Sequence, residues 1–234
     1  MKKVLIGIQA RSTSTRLPEK VFKIIGGKPL LQHVIDSCEA AARHINLFKR
    51  KNSLEVSVSL LIPEGDPIAR QFRHTNCFEG SEHNVLQRYY LAAMDAGADY
   101  VVRVTGDCPL IPSPVISKTI NTLVLNEYDY ASNVYEEVRG YQDGLDCEAF
   151  TIELLHQAYR HANSKEDQEH VTTWMRKQNV KFGHVVPWVH NLNGPKLSVD
   201  TEEDLERVRE IYDLSERAIY KAEGLHGKKS LHRF

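Results

Sequence analysis

VLIGIQARSTSTRLPEK, residues 4–20, divides in two after Ile8. Val4 to Ile8 is an apolar, partly β-branched run with no polar alternation, which suits a strand covered on both faces, as in a parallel sheet. The continuation from Gln9 to Lys20 is polar, rich in hydroxyls, and carries Arg11, Arg16 and Lys20. A second run of the first kind, Tyr100 to Val104 (YVVRV), leads into Thr105-Gly106-Asp107-Cys108-Pro109-Leu110. Between them Leu30, Leu31, Val34, Ile35, Cys38 and Ala42 recur at spacings of three and four, one apolar helix face opened by Pro29. Outward from these anchors the pattern predicts strands over 54–62, 77–78, 129–133, 145–150, 182–188 and 197–199. It predicts helices over 66–73, 84–96 (ending at Gly97), 112–125, 151–161, 167–177 and 201–220. Strands alternating with helices imply βαβ units. The expectation is a three-layer α/β/α fold with a mainly parallel sheet. Residues 1–224 are read as one domain, 225–234 as a mobile tail, and 135–146 as a loop beside the site.

Composition excludes several classes. The 234 residues carry 30 Lys and Arg against 31 Asp and Glu, a net charge of -1. With 41% hydrophobic and 26% charged residues this is neither a disordered chain nor a strongly basic nucleic-acid binder. No apolar run approaches the ~20 residues of a membrane span, and the N-terminal apolar stretch is too short for a signal peptide, so a cytoplasmic protein is expected. Cys38, Cys77, Cys108 and Cys147 stand too far apart for zinc-knuckle spacing and read as small core residues, with Cys108 set apart by its motif. The eleven histidines show no zinc pattern, and Lys49-Arg50-Lys51 reads as a solvated connection.

In open α/β sheets ligands bind beyond the carboxyl ends of the strands. Three segments qualify. The 9–20 loop is either a solvated basic loop or a cradle for a polyphosphate, which needs hydroxyls, backbone N–H groups and fixed cations. It matches neither the P-loop nor the dinucleotide fingerprint. Asp107 follows one strand, with Gly106 allowing the turn. Asp200 follows 197–199, where Asp200 or Thr201 can also cap the next helix. Two carboxylates and a basic loop at strand ends suit a Mg²⁺-dependent reaction of a nucleoside triphosphate.

These motifs resemble a known family. QARSTSTRLPEK and IIGGKPLLQHVIDS look like the opening of the cytidylyltransferases that activate sugar acids, acylneuraminates and 3-deoxy-manno-octulosonate among them. EGSEHNVLQRYYLAA, VTGDCPLI, DGLDCEAF, EHVTTWM and LSVDTEEDLERV look closer to the spore-coat polysaccharide branch. The matches run in order over most of the chain. The resemblance implies a nucleotide-diphosphosugar-transferase fold, CTP as donor and Mg²⁺ as cofactor, with a hydroxyl or phosphate of the acceptor attacking the α-phosphorus of CTP. By motif, Gln9, Ala10 and Arg11 would face the nucleotide with Gly106, and Arg11, Arg16 and Lys20 would hold its phosphates. Asp107 and Asp200 would bind the metal. Ser81 and Glu82 would lie near base or ribose. Tyr141, Asp143, Asp146, Glu148 and His170 would line the acceptor pocket. Relatives of this kind are commonly homodimers. One departure stands out: the family loop has Gly where this chain has Glu19. A nucleotidyltransferase using another nucleotide, a glycosyltransferase on the same fold, and a non-catalytic nucleotide-binding protein are the alternatives.

Overall fold

The computed structural model describes residues 1–47, 54–134, 140–187 and 194–222, with side chains to residue 216. The basic triplet at 49–51 and the expected tail at 225–234 lie outside the described residues. Strand β1 is Lys2–Gln9, followed after a 3-10 turn (Lys20–Phe22) by the short hairpin β2 (Ile24–Ile25) and β3 (Lys28–Pro29). Then come α1 (Leu30–Leu47), β4 (Leu54–Pro63), α2 (Ile68–Gln71), β5 (Cys77–Gly80), α3 (Val85–Asp95) and β6 (Tyr100–Thr105). The second half holds α4 (Ser113–Leu125), β7 (Tyr130–Ser132), β8 (Glu148–Thr151), α5 (Ile152–His161), α6 (Lys165–His170), α7 (Thr173–Arg176), β9 (Phe182–His184) and α8 (Glu202–Ala222).

The seven-stranded sheet has the order β5-β4-β1-β6-β8-β7-β9. Only β8 runs against its neighbours; the other pairings are parallel. One face is covered by α1 and α4, whose Leu31, Val34, Ile35, Cys38, Ile116 and Ile120 join the larger core. The other is covered by α3 and α5, with Leu86, Tyr89, Leu154 and Leu155. The three-layer α/β/α architecture is therefore present. From β1 the chain moves outward to β4 and β5, then returns to the opposite side of β1 as β6. The order reverses between β1 and β6, which opens a crevice at their carboxyl ends.

Four local expectations need correction. Residues 197–199 form no strand: the Leu197 and Val199 N–H groups instead donate to the carbonyls of Asp143 (2.7 Å) and Asp107 (2.9 Å). The single helix expected over 167–177 is broken at Val171, whose φ of 64° ends α6 and closes a γ-turn from Thr172 N–H to His170 carbonyl at 2.6 Å. The last strand stops at His184. Cys77 is exposed on edge strand β5, whereas Cys38, Cys108 and Cys147 are buried as expected.

Beneath the crevice lies a buried charge network. Glu148, placed at the start of β8, is 1% exposed. Its carboxylate accepts from Arg103 Nη1 at 2.6 Å, Arg176 Nη2 at 2.5 Å, Thr172 Oγ1 at 2.9 Å and the Tyr130 hydroxyl. Burial pushes this carboxyl upward, but the Arg103 and Arg176 charges and the hydrogen bonds outweigh it and hold it down to about 2. Its stabilisation is complete above the ordinary carboxyl range and disappears as pH falls toward 2. Denaturation midpoints should thus drop between about pH 4.5 and 2. Glu148→Ala, which leaves the largely buried Arg103 guanidinium without its carboxylate and frees the more exposed Arg176, should cost about 3 kcal/mol at pH 7 and flatten that acid limb.

Candidate active site

At the crevice the β1 and β6 ends are clamped together, because Gly106 N–H donates to the Gln9 carbonyl at 2.8 Å. A Cβ on Gly106 would stand 3.0 Å from that same carbonyl oxygen and from Ala10 Cβ, so the close approach favours glycine. Asp107 is thereby turned out over the crevice. It meets Lys20, which arrives from the 11–20 loop: Lys20 Nζ donates to Asp107 Oδ2 at 2.9 Å, Asp200 Oδ1 at 3.1 Å and the Val199 carbonyl at 2.8 Å. Arg16 Nη2 lies 2.9 Å from Asp200 Oδ1 and Lys196 Nζ 2.8 Å from its Oδ2. Burial pushes the Asp200 carboxyl up, yet Lys196 and Lys20 hold it below the ordinary range.

Asp200 is not consumed as a helix cap. Thr201 Oγ1 accepts from Asp204 N–H at 3.3 Å, while Asp204 Oδ2 accepts from the Asp200 and Thr201 N–H groups at 3.0 and 3.2 Å. This reciprocal pair caps α8 and leaves the Asp200 carboxylate aimed at Lys20. The segment is fixed from below by Val199, Leu205 and Val208, which pack with Leu17, Ile25 and Leu30 in a small core of their own. From the side, Gly144 (φ 94°) passes so close to the backbone that a Cβ would come within 2.1 Å of Ser198 N. Asp143 Oδ2 accepts from Ser198 Oγ at 3.3 Å.

These groups surround a cavity of about 340 Å³ whose wall includes Gln9, Ala10, Arg11, Gly106 and Glu82 of the sequence-derived set. Arg16, Lys20, Asp107 and Asp200 lie at one part of it, and Asp143, Asp146 and His170 also contribute. His170 is presented there by the strained turn at Val171. Three expected residues are placed differently. Glu148 lies inside, beneath Arg103, because its carboxylate finds two guanidiniums there. Tyr141 is half-buried and packs against the larger core. Ser81 shapes the turn before α3, its Oγ accepting from Asn84 N–H at 3.0 Å. Cys108 is packed under Asp107, and burial pushes its thiol well up, so it is a neutral wall residue.

Two cationic residues of the cavity wall were missed by sequence reasoning, Arg88 and Arg103. Each had a signal: Arg103 is a charge within the apolar run YVVRV, and Arg88 falls on the inward stripe of α3 with Val85, Leu86, Tyr89 and Ala92. Arg103 Nε also donates to Gln9 Oε1 at 3.2 Å, linking the buried Glu148 to the cavity wall.

Glu19 occupies the position of the family glycine and adopts the left-handed region, φ 56° and ψ 26°, while exposed. The loop keeps a glycine-favoured backbone without the glycine, at a cost of about 1 kcal/mol.

The oxygen set around Lys20 suits a hard divalent cation, because two carboxylates and a carbonyl already gather about one positive charge. Among the described residues no group of three or more His, Cys, Asp or Glu side chains is arranged to hold a metal. Phosphate oxygens of a ligand would therefore complete such a site. Among the described residues no helix is long and apolar enough to cross a membrane.

The chain is 30% identical over 215 residues to an uncharacterized protein of Methanocaldococcus jannaschii, MJ1063, covering 89% of this chain and 83% of that one. It is 28% identical to the spore coat polysaccharide biosynthesis protein SpsF of Bacillus subtilis, over 91% of this chain and 87% of that protein. Among solved structures, a cytidylyltransferase from Leptospira borgpetersenii superimposes with a TM-score of 0.79 at 25% identity, covering both chains fully. CMP:2-keto-3-deoxy-manno-octonic acid synthetase, solved with CTP, superimposes at 0.68 over 92% of this chain and 100% of that one, and its 18% identity bears on the fold alone. The cytidylyltransferase family model matches residues 5–230. With that match spanning nearly the whole chain, and the strand-end crevice carrying the family's motifs, the protein belongs to the cytidylyltransferase family and is a CTP-dependent nucleotidyltransferase.

Proposed function

We propose that this enzyme, one catalytic unit over residues 1–224, transfers CMP from CTP to a sugar acid or related acceptor and releases pyrophosphate. The observation that supports this most directly is the meeting of Lys20 with Asp107 and Asp200 at the β1–β6 crevice. Arg11, Arg16 and Lys20 hold the triphosphate and offset the charge that repels an incoming nucleophile. Gln9, Ala10 and Gly106 supply the backbone wall, with Glu82, and with Ser81 shaping the turn beside it. Asp143, Asp146 and His170 bind the acceptor, with Tyr141 supporting that wall and Glu148 acting through Arg103. Asp107 and Asp200 would hold Mg²⁺, which would neutralise charge at the reacting phosphate. The acceptor oxygen attacks the α-phosphorus in line, and the bond from that phosphorus to the β-phosphate bridge breaks.

Two relatives support the acceptor class. A 3-deoxy-manno-octulosonate cytidylyltransferase of Cellvibrio japonicus is 30% identical over 58% of this chain and 51% of that protein. The fuller match to SpsF suggests a step in polysaccharide assembly. The same reading keeps a homodimer working in the cytoplasm. The deciding experiment is a pyrophosphate-release screen with Mg²⁺, CTP and a panel of sugar acids, amino-sugar acids and polyol phosphates. Turnover with CTP on at least one acceptor is expected; turnover with another nucleoside triphosphate alone overturns the reading.

Asp107→Asn should lower kcat by about 10²-fold or more while the melting temperature stays close to wild type, since Lys20 keeps Asp200 and the Val199 carbonyl. Glu19→Gly removes both an unfavourable φ and a carboxylate beside the phosphate loop. It should lower the KM for CTP by roughly fivefold at low ionic strength, about 1 kcal/mol, with the difference vanishing in 0.5 M salt. An unchanged KM at low salt would show that Glu19 points away from the donor.

A further inference from the structure

One buried cation of the cavity wall belongs neither to the cluster around Lys20 nor to the Glu148 network. Arg88 projects from α3 and is 2% exposed, yet forms part of the cavity wall. Its Nη1 donates to the Ser81 carbonyl at 3.0 Å. Its Nε has no hydrogen-bond partner, the only buried side-chain nitrogen or oxygen in that condition among the described residues. The acids whose charge reaches it are otherwise engaged: Asp66 accepts from the Ser12 N–H and hydroxyl, and Glu82 from Thr13 Oγ1. A buried guanidinium without a carboxylate partner is costly, and a fold retains one where a ligand completes its hydrogen bonds.

The neighbourhood narrows what that ligand atom is. On the proposed reading Arg11, Arg16 and Lys20 serve the phosphates, the last two beside Asp107 and Asp200, and of these only Arg11 lies near enough for its charge to reach Arg88. Arg88 instead lies beside the turn before α3, with the apolar Val85 and the carboxylate of Glu82 in the same wall. A guanidinium only donates and a carboxylate only accepts. Cytosine presents adjacent acceptors, N3 and O2, next to an amino donor at N4. Uracil presents N3–H and O4 at the same places, which sets a donor against Arg88 and an acceptor against Glu82. A site built from buried hydrogen-bonding groups rejects the wrong pattern strongly.

We infer that Arg88 is the specificity-determining residue for the base, donating to the N3/O2 edge of cytosine, with Glu82, whose Oε1 takes the Thr13 hydroxyl, accepting from N4 through its other oxygen. This rests on the reading that the cavity holds CTP. The test uses calorimetric titration of the whole chain with CTP, UTP and inorganic tripolyphosphate in Mg²⁺, for wild type, Arg88→Gln and Arg88→Lys. Arg88→Lys keeps the charge but loses the planar fork, and guards against a fold-breaking Arg88→Gln.

The expected result is that the wild-type preference for CTP over UTP falls at least tenfold in both variants. Tripolyphosphate, which has no base, should bind within twofold of wild type. Preference retained within threefold overturns the inference. So does a parallel loss of tripolyphosphate binding, which would make Arg88 a phosphate ligand or a structural residue. If wild type itself prefers UTP, or neither, the cytidine reading fails together with this one; if wild type prefers CTP and the variants still do, only this inference fails.

Discussion

The site depends on a single ammonium group. Lys20 Nζ lies between Asp107 and Asp200, two carboxylates that would otherwise repel each other across a half-buried crevice. Three segments far apart in sequence meet there: the loop after β1, the turn after β6, and the approach to α8. Each is pinned by something else. Gly106 is bonded to Gln9, Val199 N–H to the Asp107 carbonyl, and Leu17 to the small core under α8. The lysine converts these independent anchors into one electrostatic unit. On the proposed reading Asp107 and Asp200 would hold a divalent ion, which would supply charge neutralisation, and Lys20 would then serve phosphate.

A second charge centre supports the first from within. Glu148 is the minus charge to which Arg103 and Arg176 are tied. Arg103 in turn fixes the side chain of Gln9 in the cavity wall. The network carries two positive groups for one negative, so the region under the cavity stays positive, which suits anionic ligands. The near-neutral total charge concealed this. Residues 11–28 hold five basic side chains against Glu19 alone, and residues 200–210 hold six acids against Arg207 and Arg209. Much of the cancellation happens across the site, with Arg16 and Lys20 meeting Asp200, and Arg207 turning to Asp204.

The legible parts of the sequence were those governed by local physics. Runs such as VLIGI and YVVRV read as covered strands because nothing polar interrupts them or because one charge does not outweigh the rest. The helices expected from residues 84 and 151 start close to those positions because the Asn84 and Thr151 side chains cap α3 and α5. The break at Val171 was illegible, because a β-branched residue at positive φ is disfavoured locally and is held there by burial, by the turn bonds to the Asp167 and His170 carbonyls and by the Thr172–Glu148 bond. The 197–199 segment carried strand-like residues, yet its N–H groups are taken by loop carbonyls and no neighbouring strand.

By itself the sequence determined the alternation of strands and helices, the strand-end positions of the basic loop and Asp107, and the family motifs, because each is written in residues close together along the chain. Only the tertiary structure decided where each charge points. Glu148 and Arg88 share motifs with surface-seeking residues, yet one lies wholly inside and the other is buried in the cavity wall. The reason is physical: a charged side chain's place is set by the partners that offset its desolvation, and those partners, Arg103 and Arg176 for the first and the Ser81 carbonyl for the second, come within reach only when the chain has folded.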